Sequence, residues 1–197
     1  MTKKIVISII VILLLILAVG GFFYWWNHRQ IRGSVDDFVI KETSEGKIIE
    51  NKKAGLTIKA PEGWEVKKMN IGEGLVSLNS SDATIELKEE KVVLPIQLGC
   101  LIQTNVIYKK ATLNEIRDEV LYNHYFLGAK IDNFVDINIK NLTAIKNNLE
   151  TEKYGSQTGA YLPYGNKVYS FYLFWGPNDK ENCDQVFNKF LESVSIR

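Results

Sequence analysis

The sequence predicts an α+β domain, an antiparallel sheet with helices packed on it, preceded by a single N-terminal transmembrane helix. Three observations carry this expectation. Residues 5–26 form a long apolar run without a charged residue. The chain from Lys47 to Tyr108 falls into short segments of two-residue alternation separated by turn residues. Two later segments, opening near Leu113 and Asp179, carry apolar stripes at helical spacing.

The apolar run Ile5–Trp26 (IVISIIVILLLILAVGGFFYWW) holds no charge, and only Ser8 interrupts it with a polar side chain. As a helix rising about 1.5 Å per residue, it matches a hydrocarbon core of roughly 30 Å. Lys3 and Lys4 precede it, and Phe22, Phe23, Tyr24, Trp25 and Trp26 close it with aromatics suited to the headgroup level. The expected layout is a cytoplasmic tail at 1–4, an anchor at 5–26, a stalk at 27–46 and an extracytoplasmic domain at 47–197. A cleaved signal peptide is the competing reading, with Ala18-Val19-Gly20 as its site. The apolar run continues past that site to Trp26, which a cleaved signal does not need. Lys3 and Lys4 against Arg29 and Arg32 leave the positive-inside bias nearly balanced, and the export-like start favours the C-terminal domain outside.

About 170 residues follow the anchor, enough for one domain with a sizeable core. Without Lys3 and Lys4 the basic and acidic residues nearly cancel, and no basic run exceeds a pair, as in Lys52-Lys53. Nucleic-acid binding wants clustered positive charge, so that class is excluded. Two histidines, His28 and His124, make a histidine-built metal site improbable, and no cofactor motif is present.

Along the domain, Val35–Ile40 reads as a short helix or turn within the stalk, and Lys47–Asn51 as the first strand. Leu56, Ile58 and Ala60 alternate. Pro61-Glu62-Gly63 then makes a tight turn, because proline presets φ and glycine permits the exit geometry. Trp64 and Val66 continue inward, Trp64 into the core. Gly72–Gly74 and Ser80–Asp82 are further turns between short antiparallel strands. Pro95 makes the next stretch an irregular edge. Beyond Gly99, Cys100, Ile102, Thr104, Val106 and Tyr108 share one face. Thr112 and Glu115 have capping-box spacing, opening a helix with Leu113, Ile116, Val120 and Leu127 on one stripe and Gly128 as its stop. Strands are expected at Ile131–Ile139, Ala144–Tyr154 and Val168–Trp175, the last apolar on both faces and therefore central. Asn178 or Asp179 caps a final helix to about Val194, with Cys183, Val186, Phe187, Phe190, Leu191 and Val194 on its stripe.

At Ala54–Lys68 (AGLTIKAPEGWEVKK), with Pro61, Gly63 and Trp64 in the turn, the chain resembles the PsbP-like family, whose namesake is an extrinsic lumenal subunit of photosystem II. The order that follows is similar too: a meander, a mid-chain helix, an aromatic strand and a C-terminal helix, over roughly Gly55–Arg197. The resemblance implies an α/β/α sandwich around an antiparallel sheet. It also implies an accessory or assembly role outside the cytoplasmic membrane, without shared catalysis.

Candidate chemistry is sparse. His124 shares the helical stripe of Ile116 and Val120 and reads as packing at the core rim. Gly72-x-Gly74 lacks the third glycine of a dinucleotide fingerprint and precedes a strand. Gly155–Gly159 (GSQTG) has the wrong spacing for a nucleophile elbow and reads as a flexible loop. Glu86 and Glu89 lean to opposite faces of a strand, so with Glu90 they make an exposed strand end instead of an acid–base pair. Among the aromatics Tyr161, Tyr164, Tyr169, Tyr172 and Trp175 most belong to the core. Tyr161 and Tyr164 flank Pro163 in the loop-like Gly159–Asn166 (GAYLPYGN), and these two are the candidates for a binding lip. Cys100 and Cys183 both face the interlayer core from a strand and a helix, and one disulfide between them is expected. The functional expectation is a membrane-anchored, non-enzymatic domain that binds or helps assemble a protein partner. The alternative is a hydrolase or other enzyme whose site assembles only in three dimensions.

Overall fold

A computed structural model describes residues 12, 14–22, 31–69, 75–85, 96–125, 130–131, 134–151 and 155–197. The turn at Gly72–Gly74, Pro95, the acidic strand end at Glu86, Glu89 and Glu90, Leu127, the helix stop at Gly128 and the ends of the apolar run all lie outside the described residues. The chain divides into two compact units, Met1–Ile31 and Arg32–Arg197.

In the first unit residues 14–22 form a helix, α1, whose apolar side chains are exposed, Leu14 at 60% and Leu17 at 69%. No helix among the described residues is long and apolar enough to cross a membrane.

In chain order the strands are β1 (Ile31–Arg32), β2 (Phe38–Thr43), β3 (Gly46–Asn51), β4 (Leu56–Lys59), β5 (Glu65–Lys68), β6 (Val76–Asn79), β7 (Thr84–Ile85), β8 (Ile96–Leu98) and β9 (Cys100–Tyr108). Helix α2 (Leu113–Tyr125) follows. Then come β10 (Lys130–Ile131), β11 (Val135–Ile139), β12 (Leu142–Thr151), β13 (Gly155–Tyr164), β14 (Lys167–Trp175), helix α3 (Lys180–Ser193) and β15 (Ser195–Ile196). The main sheet is antiparallel in the order β10-β12-β13-β14-β9-β6-β5, with β11 also paired to β12. A smaller antiparallel sheet runs β15-β4-β3-β2.

β14 is central because both of its faces are apolar. Tyr169, Phe171 and Leu173 join α3 and the small sheet in one core with Phe38, Ile58, Phe187 and Phe190. Val168, Tyr172 and Phe174 join a second core under α2, with Ile116 and Val120. The main sheet is thus covered on both faces. Burying one such Leu or Phe side chain contributes about 1.5–3 kcal/mol. Trp64 sits in the first core at 9% exposure, delivered there by the Pro61–Gly63 turn.

Residues read from sequence as stalk belong partly to this domain. Ser34 accepts a bond from Asp36 N, Asp37 reaches back to Ser34 N, and this box opens a 3-10 turn at Val35–Asp37. Phe38 then enters the core fully buried, and β2 pairs with β3 along its length. One deep anchor in a strand whose other residues are exposed or half-buried gives no sustained alternation, which is why the pattern was faint.

The larger correction is β13. The supposed flexible loop Gly155–Gly159 and the loop-like segment after it form one ten-residue strand between β12 and β14. Gly159 and Pro163 have positional reasons. A Cβ on Gly159 would stand 2.6–2.9 Å from the Tyr161 ring, so the glycine is what lets that ring lie along the strand. Pro163, which has no N–H to give, lies past Tyr161, the last β13 residue in register with β12. The other late surprise is the C-terminus. Val194 leaves α3 in an extended conformation, and Ser195–Ile196 pair with β4.

Candidate functional site

The sheet's connections bring three short segments together at one end of the domain. The β11–β12 turn, the end of β13 and the chain leaving α3 enclose a cleft of about 240 Å³. Its floor is Ile139, Leu162 and Val194, all buried. Ile139 ends β11, Leu162 lies two residues before the end of β13, and Val194 follows the last residue of α3. Lys140, Asn141, Tyr164 and Ser195 provide the polar groups of its lining.

Lys140 sits in the turn with φ 54, the only non-glycine residue in the left-handed region among those described. That conformation costs a non-glycine residue of order 1 kcal/mol or more, and glycine or asparagine would adopt it more readily. The turn instead places Lys140 in the lining of the cleft. Tyr164 is 43% exposed and stands directly opposite Lys167 across the β13–β14 turn. Among the described residues neither Lys140 nor Lys167 is in an ion pair. Among the described residues the lining contains no carboxylate, imidazole or thiol.

The two tyrosines expected as a lip part company. Three residues apart in a strand, they point to opposite faces. Tyr161 is buried under α2, edge-on to Tyr172 at 5.8 Å and 80°. Tyr164 alone reaches the cleft. Sequence reasoning missed Lys140, Asn141 and the β15 residues. A two-residue turn between alternating strands was a usable signal for the first pair.

On the same face as Tyr164, Tyr169 donates from its hydroxyl to the carbonyl of the buried Ala54 at 2.5 Å. Burial pushes Tyr169 up to about 12, with smaller contributions from the Tyr108 and Tyr164 hydroxyls. Tyr108 is also raised, by burial and then by Asp37. Its hydroxyl is buried with no hydrogen-bond partner among the described residues, while Lys53 lies over its ring at 5.2 Å. Burial thus favours the neutral form of both phenols.

Cys100 and Cys183 form a disulfide with Cα atoms 5.6 Å apart. Around it Gly99, with φ +77, packs so closely on Ser80 and Asp82 that a Cβ would stand 2.5 Å from the Ser80 hydroxyl oxygen. Asp179 does not cap α3 with its side chain. Its Oδ2 accepts from Gly99 N at 2.8 Å instead, tying the helix start to the start of β9. Thr112 and Glu115 do form their capping box, Glu115 accepting from Thr112 N at 2.7 Å. His124 lies in the last turn of α2, its side chain outside the described residues. No cluster of three or more potential metal ligands occurs among the described residues.

No protein-family model matches the sequence, and none of the curated proteins is similar to it in sequence. Solved structures share its fold. Cyanobacterial PsbP (CyanoP) from Synechocystis sp. PCC 6803 superposes with a TM-score of 0.51 at 11% identity, over 82% of this chain and 93% of that one. LpqN, described as involved in cell envelope biogenesis of Mycobacterium tuberculosis, gives 0.51 at 10% identity, over 86% of this chain and 92% of its own. The fold of this chain therefore resembles that of PsbP.

Proposed function

We propose that this protein is a membrane-anchored, non-enzymatic extracytoplasmic domain that holds a partner protein at the Tyr164 cleft and so assists assembly or upkeep of an envelope complex. The observation that carries the reading is the make-up of the cleft. An apolar floor with one cation and one aromatic on its rim suits recognition of a side chain, and among the described residues its lining holds no carboxylate, imidazole or thiol beside the Ser195 hydroxyl. Location is supported by the run Ile5–Trp26, by the exposed leucines of α1 and by the disulfide, which suits an oxidising compartment. The shared fold with CyanoP and with LpqN, an envelope-biogenesis protein, is in keeping with an accessory role.

Quantitative affinity purification of the full chain from detergent-solubilised native membranes tests this, comparing the wild type with Tyr164→Ser. A defined set of proteins retained by the wild type and lost with a folded Tyr164→Ser variant is the expected result. Equal recovery by both would overturn the assignment of the cleft.

A further inference from the structure

We infer that the occupant of the cleft is an acidic, extended segment of a partner protein, which pairs its backbone with the open edge of β15 and sets an apolar side chain on the Ile139–Leu162–Val194 floor. This deepens the reading above and rests on it.

The edge comes first. Among the described residues β15 ends the small sheet and has β4 on one side only. Arg197 N donates to Gly55 O at 3.0 Å, and Ile196 stands opposite Leu56. In an antiparallel ladder the residue before such a bonded one is in a non-hydrogen-bonded pair, so the N–H and C=O of Ile196 point away from β4. An open edge of this kind is the template for strand addition, in which main-chain bonds align a peptide and pockets select alternate side chains.

Charge supplies the second argument. Among the described residues Lys140 and Lys167, neither of them ion-paired, flank Tyr164, and no carboxylate lines the cleft. A segment bearing Glu or Asp beside its apolar residue complements that pair. Lys140 is held there in a backbone conformation lysine disfavours. Size is the third. The cleft, at about 240 Å³, falls short of the roughly 300–1,000 Å³ of small-molecule sites and accommodates one or two side chains. A fatty acid would match the charge, but it has no use for the Ile196 backbone groups.

The test uses the full chain in a non-ionic detergent and a fluorescein-labelled peptide, Glu-Val-Glu-Leu-Glu-Val-Glu, followed by anisotropy and by exchange of the Ile196 amide. Saturable binding is expected, at least tenfold tighter than for the same peptide with Lys in place of Glu. N-methylation at the central Leu and its neighbours should weaken it by a similar factor, and the Ile196 amide should gain protection. Lys140→Gly keeps the turn, since glycine accepts its φ, and should still lose about tenfold in affinity. Equal binding of the N-methylated or Lys peptide overturns the inference, as does displacement by dodecanoate at lower concentration than by unlabelled peptide. Absence of any peptide binding also overturns it. The Tyr164→Ser co-purification result judges the broader reading separately.

Discussion

Tyr169 and Tyr108 are neighbours with opposite hydrogen-bonding fates, and replacing each by phenylalanine separates the contribution of a made bond from that of an unmade one. Tyr169→Phe leaves the carbonyl of buried Ala54 without its hydroxyl donor. An unpaired buried acceptor costs about 1–3 kcal/mol, and a loss in that range at pH 7 is expected. Tyr108→Phe removes a hydroxyl that is buried and without a partner among the described residues, so its stability should be unchanged or slightly raised. Alkaline pH gives a second readout. Folding raises Tyr169 to about 12 from an ordinary value near 10, so the folded state holds its proton longer. The contribution is fully present below pH 10 and is lost as pH rises through 12. At pH 11 the loss is about 1.4 kcal/mol, which Tyr169→Phe does not suffer. Urea unfolding of the full chain in detergent at pH 7 and pH 11 measures both effects. Equal stability of wild type and Tyr169→Phe at pH 7, with parallel pH dependence, would refute the reasoning.

Replacing Cys100 and Cys183 together by Ala opens a loop of sequence separation 83 and should lower stability by about 4.5 kcal/mol in the chain-entropy treatment, read from denaturant midpoints. Trp64→Ala empties a core site and should cost about 3–5 kcal/mol; an unchanged midpoint would mean that Trp64 is not packed as described. Glu115 is held below its ordinary value by the bond from Thr112 N and then by the Thr112 hydroxyl. The stabilisation is present above pH 4.5 and is lost as pH falls through the lowered value. In Thr112→Ala, unfolding curves between pH 6 and pH 3 should show a weaker acid dependence.

Much of this fold is legible in the sequence because apolar periodicity reports burial. The two faces of β14, the register of Cys100, Ile102 and Val106, and the stripe of α3 all follow from it, and the disulfide joins residues from two such faces. β13 was illegible for a definite reason. Gly155, Ser156, Gln157 and Gly159 lack strand propensity, and their extended backbone is imposed by β12 and β14 on either side. Phe38 and Ile196 are single anchors without a local pattern. The cleft depends on such residues: three segments distant in sequence meet there, and only Tyr164 announced itself, as an aromatic beside a proline.

The central claim, that the Tyr164 cleft receives a partner protein, is tested most directly by placing a benzophenone amino acid at position 164 and irradiating native membranes. Position 45, whose glutamate side chain is 79% exposed, serves as the control. The account predicts a discrete protein adduct from position 164, absent from position 45 and diminished by Lys140→Gly. No adduct from a folded protein, or the same adducts from both positions, would contradict it.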